Sequence, residues 1–187
     1  MTPSVTQVLG VYADFSALPD DGRLEAAADR GTRLHKWAAL YCKAWDNKLP
    51  YVPNLKPDDD IALHASSFAM WHKEMVKEML HSELHLRHPV WGYHGHLDFI
   101  FVLHNGETVL LDLKTPVTKS RLWCGQVAAY GELVQVNYPT LKIQRSGVLQ
   151  TSPKGHMARV TWYETEARDL NAFLAALTAY KYFKGDK

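Results

Sequence analysis

The stretch Gly95–Thr115, GHLDFIFVLHNGETVLLDLKT, contains two apolar runs separated by an asparagine–glycine pair. An Asn-Gly pair between two such runs is the strongest short-range signal for a β-hairpin. Gly95–His104 and Thr108–Thr115 are therefore predicted to be two antiparallel strands of a sheet. Each strand carries one acidic residue, Asp98 or Asp112, within its apolar run. A buried charge is costly unless it is paired or functional, so we expect the chemistry to lie in this hairpin.

The length of the hairpin turn decides whether the two carboxylates share one face of the sheet. A two-residue turn at Asn105 and Gly106 would place Asp98 opposite Leu113. The carboxylates of Asp98 and Asp112 would then nominally point to opposite faces, because successive residues of a strand alternate. A β-bulge or a different register would bring them together. The residues alone leave both arrangements open.

The sequence on either side of the hairpin predicts helices and further strands. The predicted helices are Ser4–Leu9 with Ser4 as its N-cap, Leu24–Ala44 with an interruption at Gly31, Ile61–Ser82, Leu122–Val136 and Ala167–Phe183. The further predicted strands are Leu84–Val90, Lys142–Thr151 and Met157–Glu164, and residues 46–60 are expected to form a loop. This order predicts an α/β fold with a central mixed β-sheet flanked by α-helices. We expect a single domain over residues 1–187, helical over about 1–82 and built on the sheet over about 83–187.

The composition narrows the class of protein. The chain has 187 residues and a net charge of +1, from 21 Lys and Arg against 20 Asp and Glu. This balance gives no overall attraction to nucleic acid, so a nucleic-acid partner would need a local basic groove. Two cysteines are too few for an all-cysteine iron–sulfur cluster or a disulfide framework. Residues 1–18 lack the pattern of a signal peptide, and we expect a cytoplasmic protein without a membrane partner.

A lysine, Lys114, follows Asp112 by two residues, so the two side chains share one face of the predicted strand. The two carboxylates of Asp98 and Asp112 suit a hard cation such as Mg²⁺. Such a cation polarises a phosphate and lowers the pKa of its bound water, and a neighbouring lysine stabilises developing negative charge. The alternative is that Asp112 and Lys114 form a surface ion pair on an edge strand.

Five short segments of the chain belong together as a pattern. They are Arg30–His35, Ser82–Glu83, Gly95–Asp98, Asp112–Thr115 and Gln126–Tyr130. In this order they resemble the PD-(D/E)XK nuclease superfamily, specifically the cluster-free part of its RecB-like exonuclease branch. The opening residues 4–9 also resemble phage and mitochondrial genome-maintenance members, so the resemblance covers about residues 4–130. It implies a restriction-endonuclease-like core and a Mg²⁺- or Mn²⁺-dependent deoxyribonuclease of a bacterial or phage-infected cell.

The resemblance also implies a metal site and a DNA substrate. Asp98 and Asp112 would bind the metal together with His35 and the backbone carbonyl of Leu113, and Glu83 would support the metal or its water. The substrate would be single-stranded or end-containing DNA, cut by an exonuclease in replication, recombination or repair. A recombination or replication protein is a further expected partner.

Other residues are predicted to act on the substrate. By resemblance, Lys114 is the catalytic lysine, and Gln126 and Tyr130 support the active site and contact the substrate backbone. Gln126 and Tyr130 are four residues apart, so they share one face of the predicted helix. Basic and aromatic residues near these positions could form the DNA-binding groove. They are Arg30, Arg33, Lys36, Lys119, Arg121 and Trp123.

Two other functions stay open at this point. The chain could be a nuclease-fold DNA-binding or scaffolding module that has no catalytic activity. The remote alternative is an iron oxygenase, because His96, Asp98, His156 and Arg168 follow the order of an HxD…H…R pattern. That class would require a jelly-roll of many strands instead of long helices.

Overall fold

The computed structural model describes residues 2–13, 23–46, 57–116, 118–164 and 167–184. The first elements are α1 (Val5–Gly10), α2 (Arg23–Asp46), α3 (Ala62–Met75), β1 (Val76–Arg87), β2 (His94–Leu103) and β3 (Thr108–Lys114). The others are α4 (Leu122–Asn137), β4 (Arg145–Gln150), β5 (Arg159–Tyr163) and α5 (Ala167–Lys184). The strands form a sheet in the order β1-β2-β3-β4-β5, in which β3 and β4 are parallel and the other neighbours are antiparallel. This mixed sheet with flanking helices confirms the predicted α/β fold.

Apolar side chains cover both faces of the sheet. Ile100 of β2 and Leu110 of β3 are buried with residues of α1, α4 and α5 on one face. Phe99 and Leu111, the neighbours of these two along the chain, are buried with residues of α2 and α3 on the other face. Because side chains alternate along a strand, β2 and β3 are apolar on both faces and lie at the centre of the molecule.

The two N-terminal helices partly agree with the sequence prediction. Ser4 is the N-cap of α1, as predicted: its Oγ accepts a hydrogen bond from the Gln7 amide at 3.1 Å, and Gln7 accepts one from the Ser4 amide at 2.8 Å. The expected interruption at Gly31 is wrong, because α2 is continuous from Arg23 to Asp46. Nothing lies within 4 Å of the position where a Cβ of Gly31 would be, so the glycine leaves no packing defect in the helix. Residues 47–56 of the predicted loop lie outside the described residues.

The predicted helix Ile61–Ser82 is too long. The helix ends at Met75 and the chain continues directly as the strand β1, which also begins earlier than the predicted Leu84. β1 pairs with β2 from Val76 to Arg87, with two register shifts near its start. The long apolar strand β2 offers a full row of backbone partners, and this tertiary pairing outweighs the local helical pattern. None of the described helices is both long and apolar enough to cross a membrane.

The turn between β2 and β3 contains three residues, one more than the Asn-Gly pair suggests. The Leu103 amide donates to the Glu107 carbonyl at 2.8 Å, and the Gly106 amide donates to the Leu103 carbonyl at 2.9 Å. Gly106 has a φ of 88°, a left-handed conformation that favours glycine. Three-residue hairpin turns commonly place glycine in this conformation. The longer turn shifts the register by one residue, so that Phe99 pairs with Leu111.

A buried histidine of α3, His72, lies among aromatic rings of α2, α3 and β2. Its ring centroid is 5.3 Å from that of Tyr41 and 5.6 Å from that of Phe101. The side chain is fully buried, and neither ring nitrogen has a hydrogen-bond partner among the described residues. Burial lowers the pKa of His72 to about 4, so the ring is neutral in the folded protein at neutral pH.

We expect His72 to make the fold sensitive to mild acid. The unfolded chain binds a proton at this histidine below pH 6.5, whereas the folded chain does so only near pH 4. Stability is therefore lost as the pH falls from 7 towards 4, by up to about 3 kcal/mol. His72→Phe should reduce this loss in urea unfolding at pH 7.5 and 5.0, whereas the exposed control His104→Gln should retain it. An unchanged pH dependence in His72→Phe would contradict the prediction.

Candidate active site

The three-residue turn brings the two predicted acidic residues together. The regular pairing of β2 and β3 extends to Phe99 and Leu111, so Asp98 and Asp112 occupy the next position on each strand. Both carboxylates are buried and line one cavity of about 270 Å³. The question of the shared face, which the sequence left open, is therefore decided by the turn.

The Asp112 carboxylate is held by side chains of β3 and α4. Lys114 Nζ lies 2.7 Å from its Oδ2, and Gln126 Nε2 donates to its Oδ1 at 3.0 Å. Gln126 Nε2 also donates to the Tyr130 hydroxyl at 3.0 Å, as expected for residues four apart on a helix. Gly95 allows this approach, because a Cβ there would lie 2.7 Å from the Tyr130 ring. The sequence-predicted Asp112, Lys114, Gln126 and Tyr130 thus form one connected group.

Burial sets the protonation of this group. It raises the pKa of Asp112, helped by the charge of Asp98 and opposed by Lys114. Burial lowers the pKa of Lys114, but the negative charges of Asp112 and Asp98 outweigh it and hold the pKa above its usual value. The pKa of the Tyr130 hydroxyl is raised, mainly by burial. Lys114 is therefore a protonated ammonium and Tyr130 a neutral hydroxyl at neutral pH.

Asp98 connects α2 to the sheet. Its Oδ1 lies 2.9 Å from His35 Nδ1, and its Oδ2 accepts a hydrogen bond from the Leu113 amide at 2.6 Å. Burial lowers the pKa of His35, but the charge of Asp98 and the hydrogen bond with it raise the pKa to about 9. Burial raises the pKa of Asp98, but the charges of His35 and Lys114 and the hydrogen bonds with His35 and the Leu113 amide together outweigh it, so the pKa is lowered. The Leu113 carbonyl stays a predicted ligand.

Glu83 supplies a third possible metal ligand beside His35 and Asp98. Its φ of 54° is uncommon for a residue other than glycine, and such backbone conformations are concentrated at functional sites. Glu83 Oε2 lies 3.1 Å from His96 Nε2, while the buried Oε1 has no hydrogen-bond partner among the described residues. One ligand atom each from His35, Glu83 and Asp98 lie within 4.8 Å of one another. Two carboxylates and one imidazole at this spacing, with an unpaired oxygen, fit a divalent cation.

Two of the predicted DNA contacts have other partners. The Arg33 guanidinium binds Asp29 at 2.8 Å, Asp58 at 2.9 Å and also Asp60, and these carboxylates raise its pKa. Its charge is thus already engaged. Trp123 is 7% exposed and packs in the core beside α1, so its burial argues against the predicted stacking on a base.

The remaining predicted contacts are accessible. Lys36 and Lys119 are exposed, and Arg30 lines a second cavity beside Thr115 at the end of β3. Arg121 is exposed and lines a separate apolar cavity between α1, α4 and α5. Positive charge near the site is therefore available from Arg30 in particular.

Two residues of the cavity wall, His85 and His94, had no place in the predicted nuclease site. The alternation of His94 with His96 was visible in the sequence, but the position of His85 depends on the pairing of β1 with β2. The iron-oxygenase alternative is excluded by the fold, because a five-stranded sheet flanked by helices is not a jelly-roll.

No protein-family model matches the chain, and no curated protein matches it. Among solved structures, LHK-Exo in complex with dAMP aligns with 97% of this chain and 86% of its own, with a TM-score of 0.52 and 13% identity. A Eubacterium rectale protein provisionally described as an exonuclease aligns over 94% and 77%, with a TM-score of 0.49 and 12% identity. The likeness to LHK-Exo shows that the chain shares the fold of an exonuclease.

Proposed function

We propose that this protein is a divalent-metal-dependent deoxyribonuclease of the PD-(D/E)XK type, in its RecB-like exonuclease branch. The observation that carries the proposal is the convergence of His35, Asp98, Asp112 and Lys114 in one cavity, with Glu83 close to His35 and Asp98. Buried charged residues at this density are costly for stability, and functional sites are where such groups concentrate. The fold shared with LHK-Exo supports the same class of activity.

The metal would be Mg²⁺ or Mn²⁺, because carboxylate-rich donor sets suit both ions. His35, Glu83 and Asp98 would hold it, with Asp112 and the Leu113 carbonyl as the further predicted ligands. When bound, the ion polarises the phosphate and lowers the pKa of its water.

The protein's own residues position the other reacting groups. Lys114 presents an ammonium that orients the attacking water and stabilises the negative charge that develops on the phosphate. The Asp112 carboxylate fixes this ammonium at 2.7 Å, and Gln126 keeps the carboxylate from rotating. Tyr130 in turn holds the Gln126 amide. The chain thus supplies a preorganised donor that needs no rearrangement during the reaction.

The proposed substrate is DNA, either single-stranded or with a duplex end, and we favour an exonuclease over an endonuclease. LHK-Exo, the structure with the same fold, is complexed with dAMP, a deoxynucleotide. Arg30, Lys36 and Lys119 would contact phosphates near the cavity. The net charge of +1 in the absence of metal predicts modest DNA affinity that rises when a divalent ion binds.

A degradation assay tests this function. Linear and circular DNA of one sequence would be incubated with Mg²⁺ or Mn²⁺, and with EDTA. We expect loss of linear or single-stranded DNA, survival of closed circles, and no cleavage in EDTA. Asp112→Asn should lower the rate by at least about 10³-fold, because it removes the charge that holds Lys114. Cleavage that persists in EDTA would overturn the proposal, and DNA binding without cleavage under any divalent ion would favour the inactive module.

A further inference from the structure

Three histidines lie on one face of the β1–β2 pair, at the mouth of the cavity. His85 of β1 is the direct cross-strand partner of His96 of β2, and His94 is two residues from His96 along the same strand. Side chains two apart on a strand share a face, and direct cross-strand partners are close neighbours. All three line the cavity that contains Asp98. The proposed nuclease chemistry uses none of them as a ligand.

Two of the three imidazoles have nitrogens at a spacing suited to a metal ion. His85 Nε2 lies 3.3 Å from His94 Nδ1, and the His85 ring centroid lies 5.4 Å from that of His96. Two nitrogens on a tetrahedral Zn²⁺, each about 2.0–2.1 Å from it, are separated by about 3.3 Å. His85 and His94 therefore already have the spacing of two ligands of one ion. His85 and His96 are exposed, so an ion can reach them from solvent.

Glu83 adds a feature typical of ligating histidines. Its Oε2 lies 3.1 Å from His96 Nε2. Metal-binding histidines usually donate their second ring N–H to a carboxylate or carbonyl, which fixes the ring and increases its basicity. A proton on His96 Nε2 would be donated to Glu83, and the lone pair on Nδ1 would then serve the metal.

We propose that His85, His94 and His96 form a second metal site, specific for a transition metal ion such as Zn²⁺. Three imidazoles and no carboxylate ligand favour Zn²⁺ over Mg²⁺, which prefers oxygen. The site is separate from the donor set of His35, Glu83 and Asp98, and Glu83 is the link between the two. It does not depend on the proposed nuclease activity.

Zn²⁺ binding to the full chain in excess Mg²⁺ tests this site by calorimetry. Mg²⁺ would occupy an oxygen-rich site but compete poorly for imidazoles. We expect one Zn²⁺ to bind the wild type, and His85→Ala or His94→Ala to weaken it at least tenfold. The matched control is His81→Ala, on the same strand as His85 but packed beside Tyr138, and it should bind as the wild type does. Thermal unfolding would establish that each variant is folded.

The results distinguish this site from the proposed catalytic one. Zn²⁺ affinity that is lost in His35→Ala but kept in His85→Ala and His94→Ala would overturn the inference, because the carboxylate site would then be the ligand set. Absence of Zn²⁺ binding by the wild type would also overturn it. Failure of DNA cleavage with normal Zn²⁺ binding would instead reject only the nuclease.

Discussion

Lys114→Met is expected to reduce DNA cleavage by about 10³-fold or more, which corresponds to about 4 kcal/mol of transition-state stabilisation. Lys114 Nζ lies 2.7 Å from Asp112, and its side chain is only 20% exposed. Methionine keeps the length and apolar stem of the lysine but removes the positive charge. The water would lose its donor and Asp112 its partner. Single-turnover cleavage of linear DNA with Mn²⁺ measures the effect on chemistry rather than on product release.

The matched control for this variant is Lys142→Met. Lys142 is an exposed lysine before β4, at the end of the β3–β4 pair where Val109 faces Arg145. The cavity lies at the opposite end, near Lys114. The control should cleave at the wild-type rate. Cleavage by folded Lys114→Met within tenfold of the wild type would show that the lysine does not take part in the reaction.

The second large effect is expected from Asp98→Asn, as a loss of metal binding. Asp98 contacts both His35 and the Leu113 amide, and asparagine keeps the shape but lacks the charge. We expect the Mn²⁺ affinity to fall at least about 10²-fold, so that Mn²⁺ at a concentration 1,000 times the wild-type dissociation constant stabilises the variant by no more than about 1.4 kcal/mol. The wild type should gain about 4 kcal/mol at a Mn²⁺ concentration 1,000 times its dissociation constant.

Comparing melting with and without metal separates a structural role from a metal-binding role. In Asp98→Asn, the side-chain NH₂ group faces either the Leu113 N–H or His35 and cannot accept the hydrogen bond that the carboxylate accepted. This mismatch lowers the free energy of unfolding by about 1–3 kcal/mol in the absence of metal. That loss alone would not change the increment due to Mn²⁺. Glu74→Gln, an exposed acidic residue of α3, is the control and should retain the full increment. A Mn²⁺ increment in Asp98→Asn equal to that of the wild type would contradict the role of Asp98 as a ligand.

The sequence predicts those groupings of the site that depend on local spacing. Asp112 and Lys114 are two apart on a strand, and Gln126 and Tyr130 are four apart on a helix, so each pair shares a face in any fold that keeps its element. The structure brings both pairs together as predicted. The place of His35 in the site, far earlier in the chain and in contact with Asp98, came only from the family resemblance.

The incorrect or open predictions depend on non-local contacts. Residues 76–82 fit a helix locally and become β1 only because β2 is beside them. An asparagine–glycine pair suits a two-residue turn, yet the observed three-residue turn also requires Gly106 at positive φ. The local residues therefore suit both turns. Arg33 was predicted to bind DNA because of its charge, and the sequence did not show that three aspartates would bind the guanidinium instead.

The three aspartates around Arg33 have a consequence for ionic strength. Two of them, Asp58 and Asp60, join α2 to the residues just before α3, and all three are 49–66% exposed, so dissolved ions screen these pairs strongly. Arg33 is only two residues from His35, which the same helix directs at Asp98. Raising the electrolyte concentration would therefore act twice, by weakening the attraction for a polyanion and by loosening the helix that carries a metal ligand.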